Sequence, residues 1–421
     1  MIMKMAYGKK QIELNLSDSN LLQVVEPPPT SNAIKGSEVL ENAFASPVST
    51  KTLREIIHEK QAANAVIVVN DITRPTPYNL ILPPLLSEME GAGIAAENIT
   101  LLVALGIHRP HTDEENRMIF GDAICSKYCI ENHNCDENLV SLGYLSNGME
   151  LVINKTAADA DLLITTGLVN LHYFAGYSGG RKSILPGVAG RKLIEINHKM
   201  MSDERACLGN YSSNPVSDIM IEAARRAGVD YIINVVTAGK NEILYAAAGD
   251  VYDAWMSCVK YCEKHNVVPI QHPADIVIAG CGGYPKDINM YQSQKALDSA
   301  ALAVNNGGTI ILVAECSEGL GEETFEEWIS QACTVEDIIN RFYNKFELGG
   351  HKAYAICRTL KKADIILVSS LSPSIVSDMF LQYAETVDDA LRIAREKHGD
   401  NPSIIIMPEA SKTGIKITNR E

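Results

Sequence analysis

A chain of 421 residues is longer than the chains that usually fold around one hydrophobic core, so we expect two domains. Its 52 acidic and 37 basic residues give a formal net charge of −15, which argues against general nucleic-acid binding. Because no uncharged apolar run reaches about 18 residues and residues 1–10 lack the apolar core of a signal peptide, we expect no membrane association. The ten scattered cysteines indicate reduced thiols and a cytoplasmic protein.

Short apolar runs rich in β-branched residues recur along the chain and predict buried strands. The first expected strand, at residues 11–16, alternates polar and apolar residues, which is typical of an edge hairpin. The buried runs follow at residues 65–71, 99–106, 161–169, 231–236, 275–280, 309–314, 364–369 and 403–407. Helical patterns lie between several of them, at residues 216–227, 251–265 and 386–397. Continuous apolar strands separated by helices predict an α/β fold, doubly wound, with largely parallel sheets.

The best boundary between two domains lies near residues 265–273. A long helical pattern ends there, two prolines intervene, and a new strand begins at Asp275. We therefore expect one domain at residues 1–268 and a second at residues 269–421. The sequence leaves open whether the final strand and tail return to the first domain.

Ligands of open α/β sheets bind beyond the carboxyl ends of strands, so the residues that follow each predicted strand are the candidates for a site. Polar or ionisable side chains flanked by Gly or Pro occur in four such segments, at residues 70–77, 106–112, 172–187 and 282–295. We expect these segments to converge on one ligand site.

Segment 172–187 combines small residues with an amine. The small residues let the backbone pass close to a ligand or to another part of the protein. Lys182 lies inside this turn rather than on a solvated helix face. Residues 176–183 approximate the phosphate-binding pattern G-x-x-x-x-G-K-[ST], but Arg181 stands where the second glycine is required. Lys182 is therefore placed to hold a phosphate or to form a covalent bond, and a structural or solvated lysine is the alternative.

Three histidines are candidates for acid–base chemistry or metal binding. His108 and His172 each follow a buried strand closely, and His198 lies in a helical pattern. A lone histidine is more often a satisfied structural group, but three histidines expected in one cleft are harder to dismiss. Neutral imidazole accepts a proton or binds a borderline metal, and two facing imidazoles suit a reaction that inverts a carbon centre.

His111 is an alternative to His108 as the acid–base group. It precedes Thr112 and Glu115, whose spacing is that of a helix capping box. We therefore place His111 at the approach to a helix and favour His108.

Charged and amide side chains in two other segments are candidates for binding an anion. Asp71 and Arg74 lie three residues apart on a proline-bounded turn, where they form either a local ion pair or a receptor for a carboxylate. Gln292 and Lys295 share one face at the start of a predicted helix, and helix N-termini favour anions. An ordinary solvated face is the alternative for this second pair.

The segments contain five motifs: D-x-T-R-P at 71–75, G-x-H-R-P at 106–110, H-x-F-A-G-x-S-G-G-R-K-S at 172–183, N-H at 197–198, and G-G-Y-P-x-D-x-N-x-Y-Q-x-x-K at 282–295. Together they resemble the motifs of the lactate racemase family, and the resemblance spans nearly the whole chain. It implies two α/β domains with the active site in the cleft between them. The first domain then holds the cofactor and the catalytic residues, and the second contributes substrate-binding residues.

The resemblance implies a covalently bound cofactor, the nickel-pincer nucleotide (nickel pyridinium-3,5-bisthiocarboxylic acid mononucleotide), and the proteins that synthesise it as partners. Lys182 matches the lysine that carries this group through a thioamide. His198 matches the histidine that completes the coordination of the nickel. The other cofactor-binding residues that the resemblance implies are Asp71, Gly179, Gly180, Arg181 and Ser183.

The resemblance also implies a hydride shuttle at C2 of a small-molecule 2-hydroxy acid. His108 and His172 are the implied acid–base pair on opposite faces of the substrate. The hydride moves to the cofactor to give a 2-oxo acid and returns to the other face. The implied substrate-binding residues are Arg74, Tyr291, Gln292, Lys295 and His351.

Lactate, malate and sugar acids are all substrates in keeping with the resemblance. His351 is either a polar residue of the substrate pocket or the start of an ordinary surface helix. Two rival interpretations stay open: an ATP-using enzyme with a phosphate-loop-like Lys182, and a non-catalytic α/β binding protein without the cofactor. The sequence predicts no oligomeric state.

Overall fold

The computed structural model describes residues 2–15, 20–26, 35–239 and 242–418. The chain forms two compact units. The central unit comprises Pro29–Lys264, and the terminal unit combines Met1–Pro28 with His265–Glu421. Among the residues described, no helix has the length and apolar character needed to cross a membrane.

Strands and helices alternate along most of the chain, and the three predicted helical segments are confirmed. The strands are β1 (Ile2–Tyr7), β2 (Lys10–Asn15), β3 (Leu21–Val24), β4 (Ala65–Asn70), β5 (Ile99–Ala104), β6 (Cys129–Asn132), β7 (Leu139–Tyr144), β8 (Glu150–Asn154), β9 (Leu162–Leu168), β10 (Leu171–His172), β11 (Gly176–Tyr177), β12 (Tyr231–Gly239), β13 (Glu242–Gly249), β14 (Val267–Ile270), β15 (Ala274–Gly280), β16 (Val304–Val313), β17 (Asp364–Val368), β18 (Gln382–Ala384), β19 (Ile404–Met407) and β20 (Gly414–Ile417). The α-helices are α1 (Gly36–Ala45), α2 (Leu53–Lys60), α3 (Tyr78–Gly91), α4 (Asp113–Phe120), α5 (Asp122–Lys127), α6 (Lys155–Ala158), α7 (Arg191–Lys199), α8 (Pro215–Arg226), α9 (Asp253–Asn266), α10 (Met290–Ala303), α11 (Glu323–Gln331), α12 (Val335–Asn344), α13 (Gly350–Leu360), α14 (Pro373–Asp378) and α15 (Val387–His398). Short 3₁₀ helices occur at Ala96–Asn98, Gly180–Ser183 and Met200–Ser202.

The central unit is built on a six-stranded sheet with the order β13-β12-β9-β4-β5-β6. All neighbouring strands are parallel except β12 and β13. Alternate residues of β12 face two separate cores. Ile233 and Val235 pack in the core that α1, α2 and α3 cover, whereas Ile232 and Val236 pack against α9. Burial on both faces explains why these strands appear as continuous apolar runs in the sequence.

The parallel pairing of the central sheet brings three of the predicted segments to one edge. β4 pairs with β5 from Ala65 opposite Ile99 to Asn70 opposite Ala104, and β9 lies on the other side of β4. The chain therefore leaves β4, β5 and β9 at the same edge of the sheet, where ligands of such sheets bind.

The terminal unit has its own six-stranded sheet, ordered β18-β17-β16-β15-β19-β3, in which every pair is parallel. β1 and β2 form an antiparallel hairpin, whose Met5 and Leu14 join the core of this unit. The hairpin strand predicted at residues 11–16 is thus confirmed as far as residue 15, and Leu16 lies outside the described residues. The predicted α/β class with largely parallel sheets is confirmed.

The compact units differ from the predicted domains at the N-terminus. The predicted limits, 1–268 and 269–421, stay a prediction about domains. Residues 1–28 belong to the terminal unit because β3 pairs with β19 and the β1–β2 hairpin packs in that unit's core. The final strands β19 and β20 also pair with strands of the terminal unit.

Candidate active site

The first part of the site follows β4 and β5, which lie side by side in the central sheet. Asp71 comes directly after β4, and His108 stands in the turn after β5, where its backbone N–H donates to the carbonyl of Leu105. Nδ1 of His108 lies 2.6 Å from Oδ2 of Asp71. The hydroxyl of Thr73 donates to Oδ1 of Asp71 at 2.7 Å, and Nε of Arg74 lies 4.0 Å from the same oxygen. The main partner of the buried carboxylate is therefore the imidazole.

The state of Asp71 determines where His108 carries its proton. Burial alone would raise the pKa of the Asp71 carboxyl. The hydrogen bonds from His108 and Thr73 outweigh burial, and the charge of Arg74 acts with them, so the pKa is lowered. An ionised carboxylate only accepts hydrogen bonds, so Nδ1 of His108 carries a proton and the lone pair is on Nε2. His108 is thereby arranged as a base.

Both ring nitrogens of His111, the alternative acid–base candidate, are engaged in hydrogen bonds within the protein. Its Nε2 accepts the backbone N–H of Ile72 at 2.9 Å, and its Nδ1 lies 3.1 Å from Oδ1 of Asn116. The side chain is buried. Thr112 caps α4 and Glu115 completes the capping box, so the predicted helix approach is confirmed.

The glycine-rich segment after β9 turns back onto the sheet. β10 and β11 pair as a short hairpin, and a 3₁₀ helix follows. A Cβ added to Gly180 would lie 2.9 Å from the side chain of Ile232 on β12. A Cβ added to Gly179, where φ is 122°, would lie 2.6 Å from the ring of Trp255 on α9. Gly179 and Gly180 therefore let the loop pack closely against β12 and α9 of the central unit.

Arg181 is buried inside this loop, and its guanidinium lies 3.8 Å from the ring centre of Trp255. Its hydrogen-bond partners are the carbonyl oxygens of Ala175, Tyr177 and Ser178 and the hydroxyl of Ser217. Burial lowers the pKa of Arg181 to about 9. Ser183 likewise donates within the unit, to the carbonyl of Thr166 at 2.8 Å. Arg181, which departs from the phosphate-loop pattern, therefore stabilises the conformation of the loop.

Lys182 and His172 meet within the loop. Nζ of Lys182 lies 2.7 Å from Nε2 of His172, and Nδ1 of that ring accepts the backbone N–H of Ala175 at 3.2 Å. Burial lowers the pKa of Lys182 well below its usual value, and the positive charges of Arg74 and Arg181 act in the same direction. An amine that loses its proton this readily is suited to covalent bonding.

His198 lies near the end of α7, and its Nδ1 donates to the carbonyl of Ile194 at 2.8 Å. The lone pair of the ring is then on Nε2, and metal-binding histidines are commonly oriented by such a bond from the other nitrogen. Burial lowers the pKa of His198 to about 4, and positive charges on Lys182 and His108 act in the same direction. These electrostatic interactions place His108, Lys182 and His198 in one cluster.

Phe174 connects the loop to α7. Its ring centre lies 4.6 Å from that of His172 and 5.2 Å from that of His198, both edge-on. Nζ of Lys182 lies 5.7 Å from the same ring. The sequence analysis did not single out Phe174 or Trp255, which contact the candidate residues, although Phe174 stands inside the motif at residues 172–183.

The remaining predicted residues belong to the terminal unit. The side chain of Asn289 caps α10 by accepting the backbone N–H of Gln292 at 3.0 Å. One turn on, the amine of Lys295 donates to Oε1 of Gln292 at 2.6 Å. The ring of Tyr291 packs edge-on against Phe325 at 5.9 Å. Gln292 and Lys295 therefore share one helix face, as the sequence predicts.

His351 lies in the interior of the terminal unit. It is 4% exposed, its Nδ1 accepts the backbone N–H of Gly349 at 3.1 Å, and its ring centre lies 6.0 Å from that of Phe346. Most residues of α13 are buried with it. The interpretation of His351 as the start of a surface helix is therefore wrong, and its role toward a substrate stays a prediction.

Buried His133 predicts acid sensitivity of the central unit. Nε2 of His133 donates to the carbonyl of Ala189 at 3.0 Å, and burial lowers the pKa of His133 to about 4. Because the unfolded-state pKa is about 6.5, the stability from this neutral ring is present above about pH 6.5 and is lost as the pH falls toward 4. We expect His133 alone to lower the free energy of unfolding by about 2 kcal/mol between pH 7 and pH 5.

Urea unfolding at the two pH values measures this loss. His133→Gln should reduce the difference between them, whereas His58→Gln, at an exposed histidine of α2, should leave it as in the unchanged chain. Equal pH dependence in His133→Gln and the unchanged chain would contradict the prediction.

Both halves of the chain match a known family. Residues 7–209 match the lactate racemase N-terminal domain, and residues 270–414 match the lactate racemase C-terminal domain. The chain belongs to the lactate racemase family. Relatives named lactate racemase are 33% identical to it: one from Thermoanaerobacterium thermosaccharolyticum over 99% of this chain and 98% of that protein, and one from Lactiplantibacillus plantarum over 97% and 98%. Membership identifies the chain as a racemase, an isomerase.

Solved structures agree with this assignment. The lactate racemase apoprotein from Thermoanaerobacterium thermosaccharolyticum superimposes with a TM-score of 0.91 at 31% identity, covering 99% of this chain and all of that one. A protein from Thermotoga maritima superimposes with a TM-score of 0.61 at 20% identity, covering 87% of this chain and 96% of that one. The second similarity supports the fold alone.

Proposed function

We propose that this racemase inverts C2 of a 2-hydroxy acid with His108 and His172 as its acid–base pair. The observation that carries the proposal is the opposite placement of their protons. Asp71 holds a proton on Nδ1 of His108, so Nε2 of His108 is a base. The N–H of Ala175 occupies Nδ1 of His172, so Nε2 of His172 carries the proton of the neutral ring and is a hydrogen-bond donor. A racemase that works through a ketone needs one group in each state.

The residues of the central unit fit a nickel-pincer nucleotide as the cofactor. Lys182 offers an amine of lowered pKa for the covalent link, and His198 offers Nε2 to the metal. Within the part of the chain that the structure describes, no three His, Cys, Asp or Glu side chains are grouped to hold a metal ion. A single protein ligand suits a metal whose other ligands belong to an organic group. When bound, this group supplies the acceptor for the C2 hydride.

The protein's own residues then act on the substrate oxygen and carboxylate. Nε2 of His108 takes the hydroxyl proton of one enantiomer. When the carbon is reduced from the other face, Nε2 of His172 gives a proton to the oxygen, and this step requires the imidazolium form of His172, because the N–H of a neutral imidazole is too weak an acid. Once Lys182 is acylated, its nitrogen no longer offers a basic lone pair, so His172 is released from that contact to serve the substrate. Arg74, with 58% of its side chain exposed, is suited to the carboxylate.

The loop contacts change the proposed roles of two cofactor-binding candidates. Arg181 and Ser183 bind carbonyl groups of the loop and of β9, so we assign them to holding Lys182 in position. Gly179 and Gly180 serve the same end by letting the loop pack closely. The same contacts remove support from the ATP-using alternative, since they leave Arg181 no role toward a phosphate.

Substrate choice is proposed from the relatives and from the terminal unit. The relatives at 33% identity are named lactate racemase. Buried His351 provides a polar group that favours a larger or more polar acid, such as malate or a sugar acid, beside lactate. Tyr291, Gln292 and Lys295 are the other proposed substrate-binding residues, and proteins that synthesise the cofactor are the proposed partners.

Protein made in cells that synthesise the cofactor is expected to carry a covalent mass on Lys182 and to racemise a 2-hydroxy acid. Lys182→Arg should lose both the adduct and the activity, because guanidinium does not form the link. Lys260→Arg, at an exposed position of α9, should keep both. Intact-mass measurement and chiral separation of lactate, malate and sugar acids provide the two readouts.

The two readouts fail separately. Racemisation by protein without the adduct would contradict the cofactor. An adduct on protein that racemises none of the acids would contradict the substrate class.

A further inference from the structure

The amine of Lys182 ends a short chain of hydrogen bonds that begins at the backbone. The N–H of Ala175 donates to Nδ1 of His172 at 3.2 Å, so the neutral ring carries its proton on Nε2. That nitrogen lies 2.7 Å from Nζ of Lys182. An ammonium group has donors only, so Nε2–H can donate to Nζ at this distance only if Lys182 is an uncharged amine. The hydrogen-bond pattern therefore presents Lys182 as a nucleophile beside a proton donor.

The surroundings of Lys182 favour the same uncharged state. Burial and the charges of Arg74 and Arg181 lower its pKa, and the imidazole of His198 lies in electrostatic reach of Lys182. None of these is a carboxylate that would hold an ammonium. An ordinary lysine of pKa near 10.4 is uncharged in only about one molecule in 2,500 at pH 7. Lys182 is thus chemically distinct from the exposed lysines of the chain.

We propose that, before the cofactor is attached, Lys182 forms an imine with 2-oxo acids. Nζ attacks the ketone carbon while the carbonyl oxygen takes the proton from Nε2 of His172. The surplus proton on the new C–N nitrogen returns to Nε2, which leaves a carbinolamine. The carbinolamine loses its hydroxyl group and the remaining N–H proton as water, and the C=N bond forms. The step needs no oxidant or reductant.

The 2-oxo acid is favoured over other carbonyl compounds because of Arg74. Its guanidinium is largely exposed and lies close enough to Lys182 to affect the pKa of that amine. A guanidinium binds a carboxylate with two parallel hydrogen bonds, and a 2-oxo acid carries its carboxylate next to the reacting carbonyl. The choice rests on the proposed function, because a 2-oxo acid is the oxidised form of the proposed substrate. Such an imine occupies the amine that the cofactor requires, so 2-oxo acids compete with cofactor attachment.

Cofactor-free protein, made in cells that lack the cofactor pathway, provides the test. It is incubated with pyruvate and sodium cyanoborohydride at pH 7, and the reduced adduct is located by intact mass and peptide mapping. We expect one adduct per chain, at Lys182, formed at least about 10-fold faster than at any exposed lysine, since its amine is uncharged whereas exposed lysines are ammonium groups. Preincubation with pyruvate and reductant should also block later attachment of the cofactor.

Variants separate the parts of the proposal. Lys182→Arg should remove the adduct, and Lys260→Arg should leave it unchanged. His172→Asn should slow adduct formation about 10-fold or more while the unfolding midpoint stays close to that of the unchanged chain. Arg74→Gln should slow the reaction of pyruvate but not that of acetone, which lacks the carboxylate.

Labelling spread evenly over the lysines, or unchanged in His172→Asn, would overturn the inference. If Lys182 stays unlabelled in protein that still loads the cofactor and racemises, the imine is refuted and the proposed function stands. If Lys182 is labelled but never gains the cofactor, the proposed function fails and the imine stands.

Discussion

Replacing His108 with Asn is expected to lower kcat/KM for racemisation by about 10³-fold, which is the usual size of a lost general base. The reason is the pair that His108 forms with Asp71, since an amide at this position offers no nitrogen lone pair to the substrate. The equilibrium constant of a racemisation is one, so the loss in kcat/KM is equal for the two enantiomers. Initial rates followed by chiral separation measure it, and His58→Asn serves as the exposed control.

A single-turnover experiment separates the roles of the two imidazoles. Loaded enzyme in excess over one enantiomer forms the 2-oxo acid, whose amount is measured after acid quench. We expect His108→Asn to suppress this step for one enantiomer and His172→Asn to suppress it for the other. If either variant suppresses both equally, a single residue serves both faces, and the two-base proposal is wrong.

The architecture and the location of the site are predictable from local sequence. The strands are buried on both faces, so the apolar runs stand out without any knowledge of partners. Parallel strands end at one edge, so the segments that follow β4, β5 and β9 had to lie near one another. The capping box at Thr112 is equally local, since its two members are three residues apart.

The sequence did not predict individual hydrogen bonds between residues that are far apart in the chain. The indole N–H of Trp255 donates to the carbonyl of Ser178 at 2.8 Å, across 77 positions of the chain. The backbone N–H of Gly8 donates to Asp287 across 279 positions, within the terminal unit. Neither pair has a spacing pattern, because each contact exists only once the sheets are assembled. For the same reason the sequence did not indicate that Arg181, a cofactor-binding candidate, donates to carbonyl groups of its own loop and to the hydroxyl of Ser217.

Replacing Arg181 with Lys is expected to lower the free energy of unfolding by about 3–5 kcal/mol, the usual cost of breaking a buried charged network. Lysine keeps the charge but lacks the planar fork, so most of the hydrogen bonds from Arg181 to the loop carbonyl groups and to Ser217 would be lost, together with the stacking on Trp255. Arg226→Lys on the exposed face of α8, beside Glu222, is the matched control and should leave the unfolding midpoint unchanged. Urea unfolding of cofactor-free protein measures both.

Trp255→Phe tests whether this network positions Lys182 as well as stabilising the fold. It keeps an aromatic ring near Arg181 and removes the hydrogen bond to the carbonyl of Ser178, which costs about 1–2 kcal/mol and leaves the protein folded. If the loop must be held for Lys182 to be presented, the folded variant should accept less covalent cofactor than the unchanged chain under identical loading. If its adduct yield equals that of the unchanged chain despite the lower stability, Trp255 serves the fold alone. Comparing yield with stability separates positioning from packing, because a purely structural loss would move only the unfolding midpoint.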